Sequence, residues 1–469
     1  MRCTKLSLFF VFMKSDILII GAGASGLMAA YAAAKTLVES GSDASVVVLE
    51  KMPRPARKMM ITGKGRCNFT NLKDWNDFSS HIRTNPNFVK SAFYGFPPQK
   101  VIDFFTTHGM PSVVERGDRA FPSSYIASDV VDTLVNACHG YGVKIECESE
   151  VKSIEKAESF FKVVLEDGSV YLSRVLIIAT GGLSYPSTGS TGDGYRWAGE
   201  MGYKMIPVFP SLTALVPDGY KIREDKSLHI DRRTKLSEWG SALCGMQLKN
   251  VGLQLLVQDN LIEEEFGDVD FTDGGIEGPI GFQLSRKAVK SLVNGSKVRV
   301  VLDLKPGVTL TDLTTRIKEI WSEIDKDPRS AHIREKERLR ILLGKLMPWE
   351  LIPAFSLSHP EIITLERRSR TQTKVWINLV SISKALKSWT FDIVGYVGYE
   401  RAVVTAGGID TSQFVSKTME SRLDKGLYMC GELMDIDADT GGYNLQLAFS
   451  TGHLAGESAA KSLVLDSQK

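Results

Sequence analysis

The residues with the clearest chemistry lie near the amino terminus. Gly21-Ala22-Gly23-Ala24-Ser25-Gly26 follows an apolar strand, Ile17 to Ile20, and opens an alanine-rich helix, Leu27 to Val38. A strand, a glycine loop and a helix in that order make a phosphate cradle. Gly21 permits a tight turn, Gly23 admits a pyrophosphate with no Cβ in its way, and Gly26 lets helix and strand pack closely. Backbone amides of Ala24 and Ser25 and the positive end of the helix then face the phosphate charge. A second strand, Ser45 to Leu49, ends in Glu50, at the spacing expected of a carboxylate that accepts ribose hydroxyls. An acid at that place favours a free 2′-hydroxyl over a 2′-phosphate.

Two further strands end in glycine. Val175 to Ile178 runs into Ala179-Thr180-Gly181-Gly182, and Leu427 to Met429 runs into Cys430-Gly431-Glu432. Each exit offers another close backbone approach. They resemble the later strands of glutathione-reductase-like FAD domains, although those usually carry Asp where this chain has Glu432. Three glycine-terminated strands spread over the whole chain favour FAD over NAD.

Polar glycine loops add to this. Thr62 to Asn71 carries Gly65, Arg66, Cys67 and Asn68; Tyr185 to Gly194 carries Asp193; Asp439 to Gln446 carries Gly442, Asn444 and Leu445. Together with Val404 to Ile409 and Thr418 to Leu423, these segments resemble the HI0933-like, or BaiN/aminoacetone-oxidase-like, FAD-dependent oxidoreductases over roughly residues 14 to 460. The resemblance implies a discontinuous Rossmann-like FAD domain with an inserted substrate domain covering the flavin. Relatives include enone reductases and amine oxidases, so it does not fix the substrate. A frequent family stretch, Thr-His-x-Gly-x-Ser-Gly-Pro, here reads Thr272 to Pro279 with Asp273 and Glu277 in place of His and Ser.

Individual roles carry ordinary alternatives. Lys51, Arg57 and Lys58 follow the ribose acid and are placed to reach the adenosine diphosphate, and each reads equally as part of a solvated turn. Val151 resembles the family position whose backbone meets adenine, and reads nearly as well as a core valine. Gly442, Asn444 and Leu445 open a helix whose positive end would favour negative charge near flavin N1 and O2. Arg66, Cys67 and Asn68 are expected across the ring. Cys67 lacks the nearby second cysteine of a flavin disulfide site and reads better as a packed thiol. Asp193 resembles a flavin-domain position, and a turn-capping Asp would look the same.

The wider composition excludes other classes. In 469 residues, Lys+Arg 57 against Asp+Glu 55 leave a net charge of +2, too balanced to advertise a nucleic-acid or membrane partner. Six scattered cysteines without metal-type spacing suggest reduced thiols in the cytoplasm, and the seven histidines show no HxH or HExxH, so no metal is expected. Leu6 to Met13 is too short to span a bilayer and has no cleavage site behind it, so residues 1 to 12 read as a dispensable leader. The expected fold is α/β: a discontinuous Rossmann-like FAD domain over 13–206 and 396–469, and an inserted α+β substrate domain over 207–395, where the glycine rhythm stops. With one dinucleotide fingerprint, NAD(P)H is expected as a transient visitor. The expected activity is hydride transfer between a small organic substrate and FAD; an oxygen-dependent amine oxidase and a non-enzymatic flavin-binding protein are the alternatives.

Overall fold

The computed structural model describes residues 12–330, 332–367 and 373–467. The chain divides into two units, 12–209 with 403–467 and 210–402. The expected leader, residues 1–11, lies outside the described residues. Phe12, assigned to that leader, instead opens the first strand, in register with Val170.

In the first unit the elements that position the glycine loops are β1 (Phe12–Ile20), α1 (Ala24–Glu39), β2 (Val46–Leu49), α2 (Arg57–Ile61), β3 (Lys144–Glu146), β4 (Val151–Lys156), β5 (Phe161–Leu165), β6 (Val170–Ile178), β7 (Met205–Ser211), β8 (Val404–Ile409), β9 (Leu427–Met429) and α3 (Tyr443–Ser467). The main sheet runs β3-β2-β1-β6-β5-β4, with β9 also paired to β6. β3, β2, β1, β6 and β9 are parallel; β5 and β4 form an antiparallel extension. Ile17 to Ile20 and Leu176 to Ile178 are buried whichever way their side chains point, as expected of parallel strands covered on both faces.

Helix α1 is rich in alanine because it lies almost backbone to backbone against α3. A methyl at Gly452 would collide with the Ser25 carbonyl, and one at Gly456 with that of Ala29. The pairing 25 with 452 and 29 with 456 makes the two helices run in the same direction. Since Gly452 stands nine residues after Tyr443, the amino end of α3 extends about 13 Å beyond this contact, at 1.5 Å of rise per residue.

The second unit contains a closed antiparallel barrel built from Leu215–Pro217, Gly275–Glu277, Asn260–Thr272, Gln247–Val257, Val298–Asp303 and Trp389–Tyr396. Helices including Gly278–Val293 and Leu310–Lys326 accompany it. The return to the flavin unit comes at Ala402, seven residues later than the sequence suggests. The reason is that residues after the last barrel strand bond back into their own unit: the Val397 amide donates to Ala214 O at 3.0 Å, and Arg401 pairs with Asp273 and Glu277. The first crossing falls at Phe209 rather than at residue 206.

The helix contact is testable. Gly456→Ala should cost about 1–3 kcal/mol, since an extra methyl in a closed interface forces the backbones apart. Gly199→Ala, in a helix where an added Cβ meets nothing within 4 Å, should be neutral or slightly stabilising. Thermal unfolding followed by circular dichroism compares the two; equal midpoints would show that α1 and α3 have room to separate.

Candidate functional site: a glycine-lined sheet edge

Leu49, Ile20, Ile178 and Met429 stand in one rank across β2, β1, β6 and β9, each in register with its neighbour. The next residues in each strand are Glu50, Gly21, Ala179 and Cys430. Four chain segments, separated by up to about 380 positions in sequence, therefore leave the sheet at the same carboxyl edge, the place where open α/β sheets bind ligands. The turns at that edge are crowded. A Cβ on Gly21 would lie 2.7 Å from Ala179 O, and one on Gly26 or Gly431 would strike Gly21 O or the Ser25 hydroxyl. Gly181 has φ +71°, which a side chain would resist.

Gly23 is different. Its φ of −79° and ψ of −172° suit any residue, and a Cβ there meets no protein atom within 4 Å. No protein atom requires glycine here; a ligand lying against the helix end does. The first intrahelical bond runs from Leu27 N to Gly23 O at 3.0 Å, so the amides of Ala24, Ser25 and Gly26 precede it, and no side chain caps them. Glu50 closes the corner: Oε2 accepts from the Ala22 amide at 2.8 Å and Oε1 from the Met52 amide at 2.9 Å. Burial pushes its carboxyl above the ordinary range, against the pull of those amides, Lys51 and Arg57. Ser149 N donates to Glu50 O at 2.9 Å, which brings the start of β4 and Val151 to the same corner. Val151 is buried and in register with Leu165.

Four charged candidates are matched with one another. Lys51 Nζ lies 2.6 Å from Asp193 and also bonds Thr191. Lys58 Nζ lies 2.7 Å from Glu432 and 2.5 Å from the Ser184 hydroxyl. Glu432 accepts further bonds from Ser184 at 2.6 Å and the Thr405 amide at 2.7 Å. Although burial opposes ionisation of Glu432, Lys58 and these donors hold its carboxyl below the usual range.

At the second glycine pair, Gly441 and Gly442 have φ of +123° and +94°, and a Cβ on Gly442 would sit 2.5 Å from Thr70 O and 2.7 Å from Asn68 Oδ1. Asn68 and Gly442 are thus adjacent across the chain. Asn68 Oδ1 is buried without a hydrogen-bond partner among the described residues. Leu445 is partly buried on the first turn of α3. Asn444 behaves unlike the expectation of a ring contact by its side chain: its amide spends both ends on Ala438 and Asp439, leaving only its backbone. Arg66 is largely exposed, 4.8 Å from the Phe121 ring centre and 3.5 Å from Glu115. Gly65, beside it, sits at φ +84° in a run of left-handed residues from Gly63. Cys67 is fully buried, and burial pushes its thiol up to about 11, which keeps it protonated and unreactive.

Sequence reasoning missed one fastening. Asp435, Asp437 and Asp439 are all buried. Asp439 takes a two-pronged pair from Arg83 at 2.5 and 2.8 Å and lies 2.9 Å from His81, Asp437 accepts from Thr84, and Asp435 accepts from Asn85. The signal was a run of acids inside an apolar, glycine-rich segment, since buried carboxylates need partners. Among the described residues no cluster of three or more His, Cys, Asp or Glu is arranged to hold a metal, and no helix is long and apolar enough to cross a membrane.

The open space beside Gly23 and the unpartnered Asn68 oxygen fit an extended dinucleotide running from the α1 end toward the α3 end. The HI0933-like protein Rossmann domain matches residues 15–458, and the chain belongs to that family. It is an FAD-dependent oxidoreductase. Among curated proteins it is 32% identical over 444 residues to a 3-dehydro-bile acid delta(4,6)-reductase of Clostridium scindens, covering 94% of this chain and 98% of that one. It is 33% identical to a ribosomal RNA dihydrouridine synthase of Haemophilus influenzae, covering 94% and 97%, and 31% identical to one of Escherichia coli, covering 96% and 99%.

Two outcomes test the edge. Gly23→Val should purify folded but without bound flavin, because a branched side chain would fill the open space; flavin absorbance at wild-type stoichiometry would refute the cradle. Lys58→Met should destabilise the chain by about 1–3 kcal/mol at neutral pH, having left a largely buried carboxylate unpaired. The Glu432 carboxyl is depressed in the folded state, so the pair's contribution is complete above the unfolded pKa of a glutamate and disappears as pH falls through the folded value. Denaturation curves at neutral and acid pH should therefore converge for the two proteins; a constant difference would point to lost packing instead.

Proposed function

We propose that this chain reduces a carbon–carbon double bond conjugated to a carbonyl in a small organic molecule, with a nicotinamide that visits as electron donor. What supports the reading is the chemistry shared by the named relatives: a bile-acid delta(4,6)-reductase and a dihydrouridine synthase both saturate such a bond. The carrying observation in this chain is the rank of four strand ends, with Gly23 bare at its centre. On this reading the amides of Ala24 to Gly26 and the α1 dipole hold the pyrophosphate. Glu50 accepts the ribose hydroxyls, and the exits at Ala179 to Gly181 and Gly431 give the cofactor close passage. Asn68 offers its free oxygen to the ring edge. The first-turn amides of α3, at Tyr443 to Leu445, stabilise the negative charge that a reduced ring carries. When bound, FAD supplies hydride acceptance and delivery. Lys51 and Lys58, each neutralised by its own carboxylate, steady the surrounding loops.

A second reading, that the reduced base lies in RNA, is favoured by the two dihydrouridine synthase relatives. One experiment separates the readings. The purified flavoprotein is reduced anaerobically with NADH or NADPH, then offered a steroid enone, a uridine-containing RNA, or air. Recolouring by the enone with about one equivalent of saturated ketone is expected. Recolouring by RNA alone selects the second reading. Rapid recolouring by oxygen with peroxide formed, and with both organic acceptors inert, overturns the proposal in favour of an oxidase.

A further inference from the structure

The inserted unit holds a pocket of its own, of about 550 Å³, where Gly219 and Asp218 meet the helix Glu238–Leu243 and the end of Ile352–Ser358. That volume suits a small molecule. Its floor is aromatic and buried: Trp389 is 1% exposed and His359 9% exposed, their ring centres 5.6 Å apart. Trp239 is half-buried, and Asp218 and Glu238 are exposed at the rim.

The hydrogen-bond inventory of this pocket is one-sided. The Trp239 indole N–H is spent on the Ser358 hydroxyl at 2.8 Å, and that hydroxyl donates to Ala354 O at 2.9 Å. The Ser237 hydroxyl donates to Gly219 O at 2.6 Å, and that of Thr390 to Ser388 O at 3.5 Å. The side-chain donors that line the pocket are therefore all used within the protein. What remains is acceptors. His359 Nδ1 lies 3.0 Å from the Glu361 carboxylate, which places the ring proton on Nδ1 and leaves Nε2 a bare lone pair. That Nε2 is buried and has no partner among the described residues. Burial holds the imidazole below its ordinary range despite Glu361, so the ring stays neutral and the lone pair persists. The carboxylates of Asp218 and Glu238 add acceptor capacity and negative charge, and none of the described residues lining the pocket is Lys or Arg.

A site made of lone pairs, carboxylates and indole faces is complementary to a ligand that brings positive charge, N–H donors and apolar surface. We propose that this pocket binds a small organic cation, a primary ammonium carried on an aromatic or aliphatic body. The ammonium faces Asp218 and Glu238, one of its N–H groups serves His359, and its body lies against Trp239 and Trp389. This ligand site is additional to the sheet edge that holds the flavin.

Isothermal titration of the full-length, flavin-loaded protein tests it with three probes of similar shape: benzylammonium, benzyltrimethylammonium and benzyl alcohol. Benzylammonium should bind saturably and at least about tenfold more tightly than the other two, one lacking N–H donors and the other lacking charge. The double variant Asp218→Asn/Glu238→Gln should weaken benzylammonium by about tenfold while keeping its flavin, and Trp239→Leu should weaken all three probes. Equal affinity for the ammonium and the alcohol, or for the primary and the quaternary ammonium, overturns the proposal without any variant. So does an unchanged benzylammonium affinity in both variants when their flavin content is that of the wild type.

Discussion

The site depends on one constraint, that β2, β1, β6 and β9 run parallel and stop at the same rank. Parallel strands that end together leave their main-chain groups and next residues on one edge. Because those residues are Glu50, Gly21, Ala179 and Cys430, the edge is small, close-packed and furnished with amides. Gly21, Gly26 and Gly431 are required by the protein's own crowding; Gly23 is the position whose freedom from crowding has to be explained from outside. The near-contact of α1 and α3 fixes the second distance that matters. Their shared direction sets the amino end of α3 about 13 Å beyond the contact near the start of α1, so that two positive helix ends are spaced along one line.

Charge plays a different part from the one its placement in sequence suggests. Lys51 and Lys58 stand just after the ribose acid, yet each is matched at 2.6–2.7 Å by a carboxylate from a distant segment. These pairs tie the loop after β2 to the exits of β6 and β9. The gripping is left to backbone dipoles, which are fixed in direction and lose no side-chain freedom on binding. The buried acids at 435–439 act in the same way, anchoring the glycine turn before α3 to residues 81–85.

The α/β class, the family and the flavin edge were legible because their signals are local: strand, glycine loop, helix, strand and acid follow one another within residues 17–50. What was not legible is what depends on partners far away in the chain. Asn444 stands where a ring contact would be expected, but its side chain completes the loop from Ala438, a use that only the folded path of residues 435–444 reveals. The Arg83–Asp439 pair joins segments more than 350 residues apart, and neither residue alone announces the other. The late return from the insertion has the same origin, a backbone bond from Val397 to Ala214 that no local pattern encodes.

The chain leaves the flavin unit along β7 and comes back along β8, and these strands pair with each other, so closely that a methyl on Gly407 would strike Pro207 O. To the nucleotide-holding sheet, everything from Pro210 to Ala402 is an excursion whose two ends are already clasped. Closing a longer or shorter excursion costs entropy only with the logarithm of its length. One flavin platform can therefore carry interchangeable recognition modules, diversifying what is reduced while the electron-transferring half of the molecule stays as it is.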